Sequence, residues 1–171
     1  MWWRERGPVC ALAFVALTGL AGCQLRPLYA TAPTAPGPQA ELPAISVEPP
    51  TDRIEQVYRN ALLFGLRGGG EAPEPRYNLI YRMTVASQGI AVERGTGTPN
   101  AYQLTGGVSF LLKDAISGDS VFGASATSVD TYTRSSQDYS NIRAQRDAED
   151  RLAKVLAELT QARLAAYFAT N

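Results

Sequence analysis

Histidine is absent from the chain. That removes Ser-His-Asp and Cys-His nucleophilic pairs, imidazole acid–base chemistry near neutral pH, and most zinc sites. Cysteine is almost absent, with Cys10 and Cys23 alone. Lysine is scarce too, since only Lys113 and Lys154 interrupt a cationic set otherwise made of arginine. The formal net charge is zero, so no basic surface marks a nucleic-acid binder. The arginine fork suits phosphate and carboxylate better than an ammonium does. A phosphate-cradling loop is missing as well, because Gly68-Gly69-Gly70 is not followed by the Lys and Ser/Thr that such loops need. Long apolar runs are also lacking. The longest, over residues 9–17, is about half of the roughly 20 residues that span a bilayer.

That short run has a meaning of its own. Arg4 and Arg6 precede it and Ala21-Gly22 follow it, which gives the basic start, apolar middle and small-residue exit of a secretory signal over residues 1–22. Leu20-Ala21-Gly22-Cys23 resembles the lipobox of bacterial lipoproteins. The resemblance implies that Cys23 is the lipid attachment site, and that Gln24 behind it favours outer-membrane sorting over inner-membrane retention. Several acyl chains anchor far better than one. With Cys10 removed and Cys23 lipidated, no disulfide framework is expected, even in an oxidising compartment.

Residues 23–41 hold Pro27, Pro33, Pro36, Pro38 and Gly37, a composition that resists regular hydrogen bonding. A tether standing off the membrane and a strap lying on the domain around Leu28-Tyr29 both fit it. Residues 42–171 are then a single domain. Leu42 to Val47 alternates around Ile45 and Val47 as a short edge strand stopped by Pro49-Pro50. Asp52, three before Glu55, caps a helix whose apolar positions are Ile54, Val57, Tyr58, Ala61 and Leu62. From Tyr77 the period becomes two: Tyr77, Leu79, Tyr81, Met83 and Val85 share one face, and a parity shift after Gln88-Gly89 predicts a bulge. Residues 93–100 form the tip of a hairpin. A third strand places Tyr102, Leu104, Val108, Phe110 and Leu112 inward, with Gly106-Gly107 as a weak or bent spot. A turn over residues 114–119 leads to a Ser/Thr-rich fourth strand. The last helix, over residues 140–168, carries a stripe at Ala148, Leu152, Val155, Leu159, Ala162 and Ala166, widened by Leu156 and Tyr167. This stripe suits either a cover for the sheet or a coiled-coil partner. The order β-α-β-β-β-α predicts an α+β two-layer sandwich, a four-stranded mainly antiparallel sheet covered by two helices.

Several segments together resemble the lipopolysaccharide-assembly lipoprotein family LptE, in its alphaproteobacterial form. They are Gly22-Cys23, Arg26-Pro27-Leu28-Tyr29, Asp52-Arg53-Ile54, Arg59-Asn60-Ala61-Leu62, Tyr77-Asn78-Leu79 and Ala101-Tyr102-Gln103-Leu104, followed by the stretch from Tyr132 to Tyr139. The resemblance implies a non-catalytic outer-membrane protein without cofactor or metal. It also implies a heterodimer with the β-barrel LptD, whose lumen it plugs and whose assembly it assists, and direct binding of lipopolysaccharide (LPS).

The meander adds a positional expectation: Arg94 at the hairpin tip and Arg134 after the fourth strand share one end of the sheet, with Lys113 at the other. Paired guanidiniums there suit lipid A phosphates, and solvation at loop ends is the bland alternative. Arg82, facing away from Tyr81, is a further contact candidate. Two other readings differ in class. One is a periplasmic accessory lipoprotein of an ABC-type lipid transport system. The other is a hydrolase pairing acids among Glu93, Asp114, Asp119 and Asp130, although acids at turns and strand ends are ordinarily solvated.

Overall fold

The computed structural model describes residues 38–92 and 99–170. Cys23 and Arg94 lie outside the described residues. The body opens with a helical turn at Pro38–Glu41 and a 3-10 turn at Leu42–Ala44. Then come β1 (Ile45–Val47), α1 (Arg53–Arg67), β2 (Tyr77–Val92), β3 (Pro99–Asp114), β4 (Ser120–Thr133) and α2 (Asp138–Thr170). The four strands form one sheet in the order β1-β2-β3-β4. β1 runs parallel to β2, because α1 carries the chain back across one face between them. The other pairings are antiparallel. The expected two-layer α+β sandwich is thus the observed one.

Helix α1 starts where Asp52, held in an extended conformation, accepts the Glu55 N–H at 2.8 Å. Glu55 reaches one residue further back than the capping pattern suggests, accepting from Thr51 N at 2.7 Å and Thr51 Oγ1 at 2.8 Å. The helix stops at Gly68, whose φ of 60° is open to glycine and costly for most other residues. Asp52→Ala is expected to lower stability by about 1 kcal/mol in urea titration, and Asp52→Ser by much less.

Tyr58, Leu62 and Leu66 bury one face of α1 against Leu79 and Tyr81 of β2 and the middle of α2. Arg53 ties the two helices at the surface, donating at 2.6 Å to both Glu149 and Asp150. The bulge in β2 falls at Ile90, where the register with β3 slips between Gly89 and Ala91.

Two expectations are corrected. The first concerns the phase of α2. Its buried positions are Ala148, Leu152, Leu156, Thr160, Leu164 and Phe168, backed by Ala153, Ala157 and Ala165. Steps of four continue through Thr160, whose hydroxyl donates to Leu156 O at 2.8 Å and so removes its own polar cost. Val155 and Leu159, assigned to the stripe by sequence, are 40% and 38% exposed, and Ala162 and Ala166 are exposed as well. The second concerns Gly106, which is no weak spot. The β3–β4 ladder runs through it unbroken, and a Cβ there would lie 2.8 Å from Leu152 Cδ2. Glycine at this position lets α2 come down onto the sheet.

Among the described residues no element covers the opposite face of the sheet. Thr84, Thr105, Ser109, Ser125 and Thr127 share it with Arg82 and Lys113, and β4 alternates exposed with more covered residues along its length.

Candidate functional site

Register fixes the two ends of the molecule. At one, Asn78 pairs with Lys113, and the entering chain is tied down by Arg76, which donates to Ala40 O at 3.0 Å and pairs with Glu41 at 2.9 Å. At the other, Gly89 pairs with Tyr102 and Tyr102 with Tyr132. Eleven ladder steps, or about 37 Å at 3.4 Å per residue, separate them. As expected, Lys113 is therefore far from Arg134.

At the far end a cup of about 550 Å³ opens between the start of β3, the end of β4 and the beginning of α2. Tyr102, Arg134, Ser135, Ser136, Asp138 and Asn141 line it, with Pro99 and Asn100. The Arg134 backbone N–H donates to Asn100 O at 2.8 Å, so the strand pairing itself sets the arginine's place. Its guanidinium stands 5.5 Å from the centre of the Tyr102 ring. That ring in turn stacks on Tyr132 at 5.3 Å, inclined by 14°. A cation over stacked aromatic faces is held without being neutralised, and among the described residues Arg134 makes no ion pair. Asn141 fixes the floor. Buried to 7% exposure, it accepts the Ser135 N–H at 2.7 Å and donates to Ser135 O at 2.9 Å.

Of the residues nominated by sequence, Arg134 is in the cup. Arg82 is not: it lies seven ladder steps away on the bare face, 3.5 Å from Glu48 and 77% exposed. The Tyr102–Tyr132 stack and Asn141 were not nominated. Direct cross-strand pairing would have revealed the stack had the β3–β4 register been known, whereas a buried asparagine in a polar stretch leaves no sequence signal. Beside the cup, exposed apolar side chains gather at the same end: Ile90, Val92, Val129, Tyr139 and Ile142. Arg143 lies among them, its guanidinium 5.7 Å from the Tyr139 ring centre. Among the described residues no cluster of His, Cys, Asp or Glu could hold a metal ion, and no helix is long and apolar enough to cross a membrane.

The LptE lipopolysaccharide-assembly family profile matches residues 42–164. The chain belongs to the LptE family. It is therefore non-catalytic and serves lipopolysaccharide assembly as an envelope lipoprotein. A crystallised lipoprotein of Caulobacter crescentus CB15 is 27% identical with a TM-score of 0.64, over 78% of this chain and 97% of that one. A minor lipoprotein of Acinetobacter baumannii, 16% identical with a TM-score of 0.50 over 71% of this chain and 88% of that one, shares the fold. No curated protein sequence matches.

Proposed function

We propose that this LptE-family chain is anchored in the outer membrane through lipid on Cys23, seats in the lumen of the LptD barrel, and offers its far-end cup to lipopolysaccharide passing toward the outer leaflet. The observation that carries the reading is the placement of the cup. It lies about 37 Å from the end where the chain enters from its N-terminal side. An anchor at one end and an arginine on stacked tyrosines at the other suit a protein that bridges a membrane surface and a distant lipid headgroup. The mixed character of that end supports the same reading. Arg134 and Arg143 answer phosphates, while Ile90, Val92, Tyr139 and Ile142 answer acyl chains. The bare hydroxyl-lined sheet face suits the polar wall of a barrel lumen.

The partner is tested by pulling tagged full-length protein from membranes and identifying what accompanies it. A large outer-membrane barrel is expected. Recovery of an inner-membrane ABC-type complex instead would transfer the chain to the alternative lipid-transport reading. The anchor is tested separately: Cys23→Ala is expected to abolish palmitate labelling and move the protein to the soluble periplasmic fraction. For the cup, Arg134→Ala is expected to weaken lipopolysaccharide binding about tenfold, the loss of one charge-assisted contact. Arg94→Ala added to it should weaken binding further, and circular dichroism should stay unchanged. Unaltered binding by the double variant removes the arginines from the mechanism.

A further inference from the structure

Two opposite charges line the cup without meeting. Arg134 and Asp138 both open onto it, and among the described residues neither takes part in an ion pair. The fold holds each in its own place. The Arg134 guanidinium stands over the Tyr102 ring, while Asp138 belongs to the first turn of α2. Between them Asn141 grips Ser135 by both its N–H and its C=O, so the chain that joins the two charges is fixed from below.

An ionised carboxylate only accepts hydrogen bonds, and beside a bare anion it is repulsive. Asp138 is therefore out of place in a site meant for phosphate alone. It suits a ligand that brings an anion for Arg134 and O–H donors as well. The remaining polar groups are neutral: Asn100, Ser135 and Ser136 each both donate and accept. Ser135 Oγ already accepts the Gln137 N–H at 3.3 Å and so keeps its own proton to give. Room points the same way. At about 550 Å³ the cup falls in the range of small-molecule sites, about 300–1,000 Å³, and a phosphate ion fills a small part of it. A zwitterion of phosphate and ammonium meets both charges, but it leaves the amide and the two hydroxyls without a role.

We propose that the cup is a saccharide subsite. It takes one pyranose ring that carries an anionic group, with the anion on Arg134 and a ring hydroxyl donating to Asp138. Asn100, Ser135 and Ser136 exchange hydrogen bonds with the other hydroxyls. This inference rests on the proposed function and deepens it, because it gives the cup to the carbohydrate of lipopolysaccharide and leaves the acyl chains to Ile90, Val92, Tyr139 and Ile142 beside it. The shared chemistry is an anionic sugar, whether the anion is a phosphate or a carboxylate.

The test is a titration of the full-length protein in a polyoxyethylene detergent, which carries neither sugar nor phosphate. The probes are glucose 1-phosphate, glucuronate, inorganic phosphate, methyl glucoside and phosphoethanolamine, read by calorimetry. Glucose 1-phosphate or glucuronate is expected to bind about tenfold tighter than any of the other three, the gain of a charge-assisted contact added to a sugar ring. Which of the two wins tells which anion the cup takes. Asp138→Asn is expected to act with opposite signs on two probes: it weakens the preferred sugar about tenfold and tightens inorganic phosphate, because a repulsive charge is gone. Circular dichroism should stay unchanged. The inference is overturned if inorganic phosphate or phosphoethanolamine binds as tightly as both anionic sugars, or if Asp138→Asn moves sugar and phosphate in the same direction. Whole lipopolysaccharide is titrated alongside. If it binds and neither sugar does, the saccharide subsite alone falls; if it fails to bind, the function beneath falls with it.

Discussion

Leu152→Ala is expected to cost about 3 kcal/mol of stability, and in that background Gly106→Ala is expected to change from harmful to helpful. Leu152 is 1% exposed and rests directly on the glycine. A Cβ on Gly106 would lie 2.8 Å from Leu152 Cδ2, 3.0 Å from Leu152 Cγ and 3.1 Å from Leu156 Cδ1. In the otherwise unchanged protein, the added methyl forces a buried leucine off its rotamer, at about 1–2 kcal/mol. Truncating Leu152 removes the two closest of those atoms and leaves a cavity. The alanine methyl then partly fills it, and replacing glycine also lowers the entropy of the unfolded strand. Urea unfolding of the two single variants and the double variant measures the coupling. Additive losses would mean that α2 and β3 do not meet at this point, and that glycine is there for some other reason. For a chain of this size the leucine variant alone should lower the melting temperature by roughly 10 °C.

That contact also marks where sequence reading ended. Period-two alternation placed β2 and β3 because Leu79, Tyr81, Leu104 and Val108 are apolar and directly legible. The bulge near Gly89 declared itself by a change of parity. Asp52 announced the start of α1 by its spacing to Glu55. The phase of α2 was not legible, because the residue that continues its buried row is a threonine, hidden by a hydrogen bond to its own helix. Val155 and Leu159, being apolar, drew the stripe toward the wrong flank. Gly106 was ambiguous for a related reason: glycine in a strand reads equally as weakness and as close approach, and only the partner helix decides. In the cup, Arg134 followed from the meander alone. Tyr102 and Tyr132 stack because of a register that depends on the length of the β3–β4 turn, which the sequence does not state.

The stability of the domain is expected to be level through neutral pH and to fall as pH rises from 10 toward 12. Tyr58 and Tyr81 meet in the core with ring centres 5.1 Å apart. Burial pushes the Tyr58 hydroxyl up to about 12, against the opposing hydrogen bond with Thr160. Burial does the same for Tyr81, also to about 12, reinforced by the nearby carboxylates of Glu55, Glu48 and Asp52 and opposed by Arg59.

A phenol with a raised folded-state pKa is favoured in its neutral form by the fold. Its contribution is complete below pH 10, where the unfolded chain is still protonated. It is withdrawn above pH 10, where the unfolded chain releases the proton first. Each tyrosine should withdraw about 1.4 kcal/mol per pH unit crossed.

Phenylalanine substitutions separate the two. Among the described residues Tyr81 Oη is buried without a hydrogen-bond partner, so Tyr81→Phe is expected to leave neutral-pH stability unchanged or slightly higher. Tyr58→Phe loses the 3.1 Å bond to Thr160, at about 1 kcal/mol, with Thr160 still satisfied by Leu156 O. Either substitution should lower the alkaline slope clearly, and the double variant should reduce it to what the exposed groups and Tyr77, whose hydroxyl burial also pushes up, supply. A slope that is the same in all four proteins would mean that the two phenols ionise as freely in the folded core as in water. Water would then reach the junction between α1 and β2.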